Sequence, residues 1–210
     1  MPKKRRELKY IIKTTLPTLL HINNHSKRKV GNIGENMLAI ESGFPEGWFY
    51  IKSKTNDHVL EPHCLSVNAG ARIVANKQRF GFDADSQLWN YDNGYIVNKA
   101  SGKVLDIQGG YIRTFHRTYL CQWDRKPSTE ASNQNWTFLP GGFISPAFHE
   151  GFVLHLRGHF GRSNIEGTQI LIHQAKDDDH HKQTWYFEPE QNQPKILSPP
   201  IPKECPDYFF

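Results

Sequence analysis

Gln134-Asn135-Trp136, past the middle of the chain, is answered by Gln87-Leu88-Trp89 before it and Gln183-Thr184-Trp185 after it, at spacings of 47 and 49 residues. One Gln-x-Trp tripeptide would mean nothing; three in phase with other landmarks define a repeat. Val59-Leu60, Val104-Leu105 and Val153-Leu154 recur ahead of the three tripeptides. Ahead of each pair stands a glycine followed by an aromatic run: Gly47-Trp48-Phe49-Tyr50-Ile51, Gly94-Tyr95-Ile96-Val97 and Gly142-Phe143-Ile144-Ser145.

Within each unit the apolar runs are short and β-rich: Trp48–Ile51, Arg72–Ala75, Tyr95–Val97, Tyr119–Trp123, Ile170–Ile172 and Trp185–Phe187. Asp92-Asn93-Gly94, Ser101-Gly102, Gly109-Gly110 and Pro140-Gly141-Gly142 supply turns between them. No window sustains a helical hydrophobic period. Three units of about four strands cannot bury their apolar faces singly, but closing them around a three-fold axis does so and leaves few free edges. The expected fold is all-β: a β-trefoil of three repeats of about 47 residues, near 47–92, 94–140 and 142–190. Trp89, Trp136 and Trp185 become core residues, and each Gln can tie a strand-loop junction to backbone.

A Gly-aromatic strand, Val-Leu (with an acid after it in the first two), then Gln-x-Trp, three times over, resembles the ricin-B lectin family of β-trefoils across about residues 44–190. The resemblance implies one shallow sugar pocket per repeat. It is built from the acid after Val-Leu, an aromatic some fifteen or more residues later, and a polar pair at Gln-x-Trp. The chemistry suits a saccharide: a carboxylate takes charge-assisted hydrogen bonds from neighbouring hydroxyls, an aromatic face packs on pyranose C–H groups, and an Asn amide both donates and accepts.

The second repeat keeps every part: Val104-Leu105-Asp106, Leu120-Cys121-Gln122-Trp123 and Asn133-Gln134-Asn135-Trp136. Here Asp106 is expected to anchor hydroxyls, Trp123 to stack and Asn133 to fix orientation, with Gln134 holding Asp106 or the loop behind it. In the first repeat Glu61 replaces Asp with Pro62 after it, Asn76 takes the aromatic position, and Ser86 precedes Gln87; this site is expected to be dead or weakened. In the third, His155 replaces the acid, His173 the aromatic, and Lys182 the residue before Gln183, so ordinary hexose recognition is not expected.

Charge agrees with a binding module of neutral face. Residues 1–46 carry nine Lys/Arg against four Asp/Glu, whereas 47–188 carry fifteen against fourteen. The basic balance therefore lies in an arm, 1–43, and not on the folded repeats, which argues against a nucleic-acid partner. No run is long and apolar enough for a membrane helix, and Lys13 and Pro17 interrupt the stretch after Lys3–Arg6, so no secretory signal is expected. The chain reads as cytoplasmic, or nuclear if Lys3–Arg6 serves as an import signal; Met37 is an alternative start. The glycosylation sequons at Asn24 and Asn135 carry no weight without secretion. Cys64, Cys121 and Cys205 are too scattered for a disulfide framework and are expected to be free thiols. Asp177-Asp178-Asp179-His180-His181 reads as a charged loop, not a metal box, and no metal or cofactor is expected. Residues 191–210 form a Pro-rich tail.

Galactose- or N-acetylgalactosamine-type glycans are the sugars the resemblance implies, with glycoproteins as partners and the oligomeric state left open. The alternative is a trefoil scaffold that binds protein and has lost its sugar. No carboxylate pair or Ser/His/Asp set is brought together by the repeat, so catalysis is not expected.

Overall fold

A computed structural model describes residues 42–110, 118–158, 165–176 and 180–190. The chain divides into Met1–Glu41 and Ser42–Phe210, and every described residue belongs to the second unit. The basic arm through residue 41 (with Lys3–Arg6, Asn24 and Met37), the tail 191–210 and Asp177–Asp179 lie outside the described residues.

Among the described residues each repeat contributes four strands. The first holds β1 (Phe49–Ser53), β2 (Val59–Pro62), β3 (Ile73–Asn76) and β4 (Leu88–Asp92). The second holds β5 (Tyr95–Asn98), β6 (Val104–Ile107), β7 (Thr118–Trp123) and β8 (Trp136–Leu139), and the third β9 (Phe143–Pro146), β10 (Phe152–Leu156), β11 (Thr168–Gln174) and β12 (Trp185–Pro189). Among the described residues no α-helix interrupts them, and no helix is long and apolar enough to cross a membrane.

Six strands follow one another around a ring. β12 pairs with β1, β1 with β4, β4 with β5, and β8 with β9. The remaining junctions are made by Trp136 N–H donating to Gly94 C=O at 2.9 Å and Trp185 N–H donating to Gly142 C=O at 2.7 Å. The other six strands form three hairpins, β2–β3, β6–β7 and β10–β11. These are laced to one another through β3–β11, β11–β7 and the Arg72–Cys121 bridge. A six-stranded ring capped by three mutually paired hairpins is a β-trefoil.

The repeated residues make the frame. Trp89, Trp136 and Trp185 are among the largest fully buried side chains. Each indole N–H donates to the carbonyl of the Leu in its own Val-Leu pair: Leu60 at 3.0 Å, Leu105 at 3.1 Å and Leu154 at 3.2 Å. An indole removed from water must find such a partner. Gln87, Gln134 and Gln183 are fully buried too. Each Oε1 accepts a backbone N–H, from Arg79, Lys126 and Lys176. Each Nε2 donates to a backbone carbonyl, of Lys77, Asp124 and Gln174. Three equivalent clamps thus fix three equivalent loops. Phe44, just ahead of β1, joins the core in a near-parallel stack on Tyr91, with centroids 4.3 Å apart.

The thiol expectation needs one correction. Cys121 is free and buried, but Cys64 is disulfide-bonded. Spacing along the chain could not foresee it, because bridging depends on Cα separation in space.

Candidate functional site

The β6–β7 ladder sets Asp106 opposite Cys121 and Val104 opposite Trp123. Side chains alternate across a strand, so these four share one face while Leu105, Ile107 and Leu120 point into the core. Asp106 is almost wholly buried, whereas 45% of Trp123 is exposed. The site is therefore a recessed carboxylate beside a projecting indole.

Asp106 is braced on one oxygen. Its Oδ2 accepts Asn133 Nδ2 at 2.9 Å and Gln134 Nε2 at 2.8 Å. Asn133 also donates to the Ile107 carbonyl and accepts Lys126 Nζ at 2.9 Å, so its amide is engaged at both ends. Gln134 links the carboxylate to the loop as well, through the Asp124 carbonyl and the Lys126 N–H. Among the described residues, Oδ1 meets only the Cys121 thiol, a weak donor at 3.8 Å. Burial raises the Asp106 pKa above the ordinary carboxylate range, against the opposing pull of Gln134, the Lys126 charge and Asn133. The Cys121 thiol is pushed up to about 12, first by its own burial and then by the Asp106 charge. It is a packing residue and not a nucleophile.

The first repeat has the same register and a different content. Asn76 stands opposite Val59, as Trp123 stands opposite Val104. Glu61 is buried, but both of its oxygens are taken by its own neighbours. Oε1 accepts Asn76 and Arg79, and Oε2 accepts Arg79 and, at 2.8 Å, Gln87. Arg79 also donates to Ser86 Oγ at 3.1 Å. A guanidinium fork thus engages both oxygens of the Glu61 carboxylate.

In the third repeat His173 stands opposite Val153, and His155 occupies the position of Asp106. Their rings lie 5.2 Å apart, centre to centre. Lys182 Nζ donates to the Gly158 carbonyl, and His180 and His181 open a short 3-10 turn that ends at Gln183. No group of three or more His, Cys, Asp or Glu among the described residues is arranged to hold a metal ion.

The sequence contained a further signal that inspection of single motifs passes over. A basic residue whose backbone N–H docks on the Gln clamp recurs as Arg79, Lys126 and Lys176. Its side chain reaches differently in the two repeats: Arg79 bonds the Glu61 carboxylate, while Lys126 stops at Asn133.

The chain is similar to mucoricin of Rhizopus delemar, at 37% identity over 102 residues that span 48% of this chain and 67% of that protein. The solution structure of the mdaA-1 domain matches with a TM-score of 0.62 and 31% identity, over 70% of this chain and 91% of that one. The C-terminal half of an earthworm R-type lectin, solved in complex with GalNAc, matches with a TM-score of 0.55 and 24% identity, over 70% of this chain and all of that one. No family model matches the chain.

Proposed function

Because this chain belongs to the ricin-B-type family of β-trefoil lectins, we propose that it is a carbohydrate-binding module with one working site, in its second repeat. Its ligand is the terminal galactose or N-acetylgalactosamine of a glycan, in line with the GalNAc bound by the earthworm lectin half. The observation that carries the proposal is the contrast between the two carboxylates. Glu61 has both oxygens committed to Asn76, Arg79 and Gln87, while among the described residues Asp106 Oδ1 has no partner better than a thiol at 3.8 Å. Two sugar hydroxyls can donate to that oxygen, and the exposed Trp123 supplies a face for the C–H groups of the same ring. Asn133 and Gln134 hold the carboxylate for them.

The module binds and does not catalyse. Among the described residues Asp106 is held by Asn133, Gln134 and the Cys121 thiol, with no second carboxylate bonded to it to share acid–base work. One shallow pocket gives a dissociation constant of about 0.1–1 mM for a monosaccharide. Stronger capture comes from glycans presented in many copies.

A glycan array with the full chain, followed by calorimetry against methyl β-galactoside, tests this beside Asp106→Asn and Trp123→Ala variants of intact fold. Binding that both variants lose supports the proposal. A folded wild type that retains no glycan refutes it and leaves the second reading, a protein-binding trefoil, which the engagement of Glu61 by Arg79 favours.

A further inference from the structure

The three hairpins meet one another, and three equivalent hydrogen bonds fix the residues at their meeting point. His63 N–H donates to the Arg72 carbonyl at 2.7 Å, Gln108 N–H to the Tyr119 carbonyl at 3.0 Å and Arg157 N–H to the Gln169 carbonyl at 2.9 Å. Arg72, Tyr119 and Gln169 are therefore one position of the repeat seen three times. The register between repeats closes them into a cycle: Arg72 stands opposite Cys121, Tyr119 opposite Leu171 and Gln169 opposite Val74. Side chains alternate across a strand, so these three lie on the outer side with Cys121, away from Ile73, Leu120 and Ile170 in the core.

Two arginines converge there on one phenol. The Arg72 guanidinium carbon stacks 4.3 Å from the centre of the Tyr119 ring. Arg157 Nη1 donates to Tyr119 Oη at 3.5 Å and to Gln169 Oε1. Arg72, Tyr119 and Arg157 are all half-buried. Arg72, Arg79, Arg125 and Arg157 are the arginines among the described residues. Arg79 is paired with Glu61, and Arg125, which also lies over a tyrosine ring, is paired with Asp92. Arg72 and Arg157 have no carboxylate partner among the described residues. The acids of the neighbouring ladders are engaged elsewhere: Asp106 by Asn133 and Gln134, Glu61 by Arg79, and Glu166 by Lys77. Two like charges on one ring repel, and partial burial weakens the screening by water, so the pair favours an anion beside it.

We propose that this meeting point of the hairpins is an oxyanion site, which takes a sulfate or phosphate ester group. It uses Arg72, Tyr119 and Arg157 and is independent of the lectin reading, which uses Asp106 and Trp123. Stacking on the ring leaves the Arg72 N–H groups in the guanidinium plane, with no acceptor among the described residues. The Tyr119 hydroxyl accepts from Arg157 and keeps its own proton to donate. A tetrahedral oxyanion offers acceptor oxygens to both guanidinium forks and to the phenol at once. The sequence leading into the two outer strands carries the same sign of charge. Residues 111–117, ahead of β7, and 159–164, ahead of β11, contain Arg113, Arg117 and Arg162 and no Asp or Glu.

Methyl sulfate and methyl phosphate carry the ester group without a sugar. Each is titrated into the ¹⁵N-labelled full chain at pH 7, beside sodium chloride at matched ionic strength. Saturable shifts of the Arg72, Tyr119, Arg157 and Gln169 amides are expected, with a dissociation constant of about 1–10 mM and no counterpart in chloride. Arg72→Gln and Arg157→Gln are each expected to weaken binding about tenfold. Tyr119→Phe, which keeps the stacking ring, should weaken it about threefold. Tighter binding of the sulfate ester assigns the site to sulfated ligands, and tighter binding of the phosphate ester to phosphorylated ones; either supports it. Shifts in wild type that fail to saturate, or that chloride reproduces, overturn the proposal without recourse to any variant. Undiminished affinity in a folded chain carrying both arginine substitutions overturns it as well.

Discussion

Asp106→Asn separates what the buried carboxylate does for binding from what it does for the fold. Burial raises the Asp106 pKa in the native state. The folded protein therefore holds that proton more tightly than the unfolded chain does. The sign follows: this group favours folding most below its unfolded pKa, and that contribution is lost as pH rises through the raised folded value. At neutral pH the ionised Asp106 works against the fold. An amide of the same shape keeps an oxygen for the Asn133 and Gln134 donors and removes the charge. The thermal midpoint at pH 7 is expected to stay within about 3 °C of wild type or to rise, since about 1 kcal/mol moves a domain of this size by roughly 2–4 °C. Binding behaves oppositely. Hydrogen bonds to a charged group contribute about 1.5–3 kcal/mol, so affinity for methyl β-galactoside should fall about 10- to 100-fold. Circular dichroism melts and calorimetry read the two quantities on one preparation. A midpoint lowered by more than about 6 °C with affinity nearly unchanged would make Asp106 a structural anchor and refute the reasoning.

On the proposed reading sugar hydroxyls bind ionised Asp106, whose pKa burial raises, so affinity should decline on acidification into the carboxylate range; an NMR titration in which affinity is unchanged once the carboxyl has titrated would contradict this. Glu61→Gln breaks a nearly buried ion pair whose Arg79 partner is 25% exposed and should cost about 2–3 kcal/mol in urea unfolding while leaving glycan affinity intact. Gly142→Ala places a Cβ 2.8 Å from the Trp185 carbonyl at φ +94°, whereas Gly151 at φ +80° has nothing within 4 Å. The first variant should therefore lose at least about 1 kcal/mol more than Gly151→Ala, for which backbone strain alone applies. Cys121, with its thiol pushed up to about 12, should resist alkylation at pH 8 in the native chain and react on unfolding; native reactivity equal to that of a free thiol would show that the hairpin opens.

The frame was legible in the sequence because it is written three times. Gln-x-Trp and Val-Leu meet in the fold through the indole N–H on the Leu carbonyl, a local pairing that sequence phase anticipates. The strand register also places Asn76, Trp123 and His173 in equivalent positions, as the repeat alignment required. What single motifs hid were contacts across repeats. Gly70 beside Trp123 joins residues 53 apart, and no periodicity inside one unit announces it. The role of Arg79 was hidden for another reason. Which partner a basic side chain finds depends on its reach, and Arg and Lys at matching positions read alike until geometry separates a fork from a point charge. The Cys64 disulfide escaped for want of any spatial information.

A glycan held on a cell surface or a polymer can pull on whatever grips it, and the lacing of β7 decides where that load goes. Trp123 ends a strand that is bonded along β6, again along β11, and to Arg72 of the first repeat. Tension entering at the indole is shared among ladders from all three repeats, so rupture must shear several rows of hydrogen bonds together and cannot unzip one. The proposed site is anchored like a rope tied to three posts, which would keep a glycan-bearing indole from tearing its own strand away.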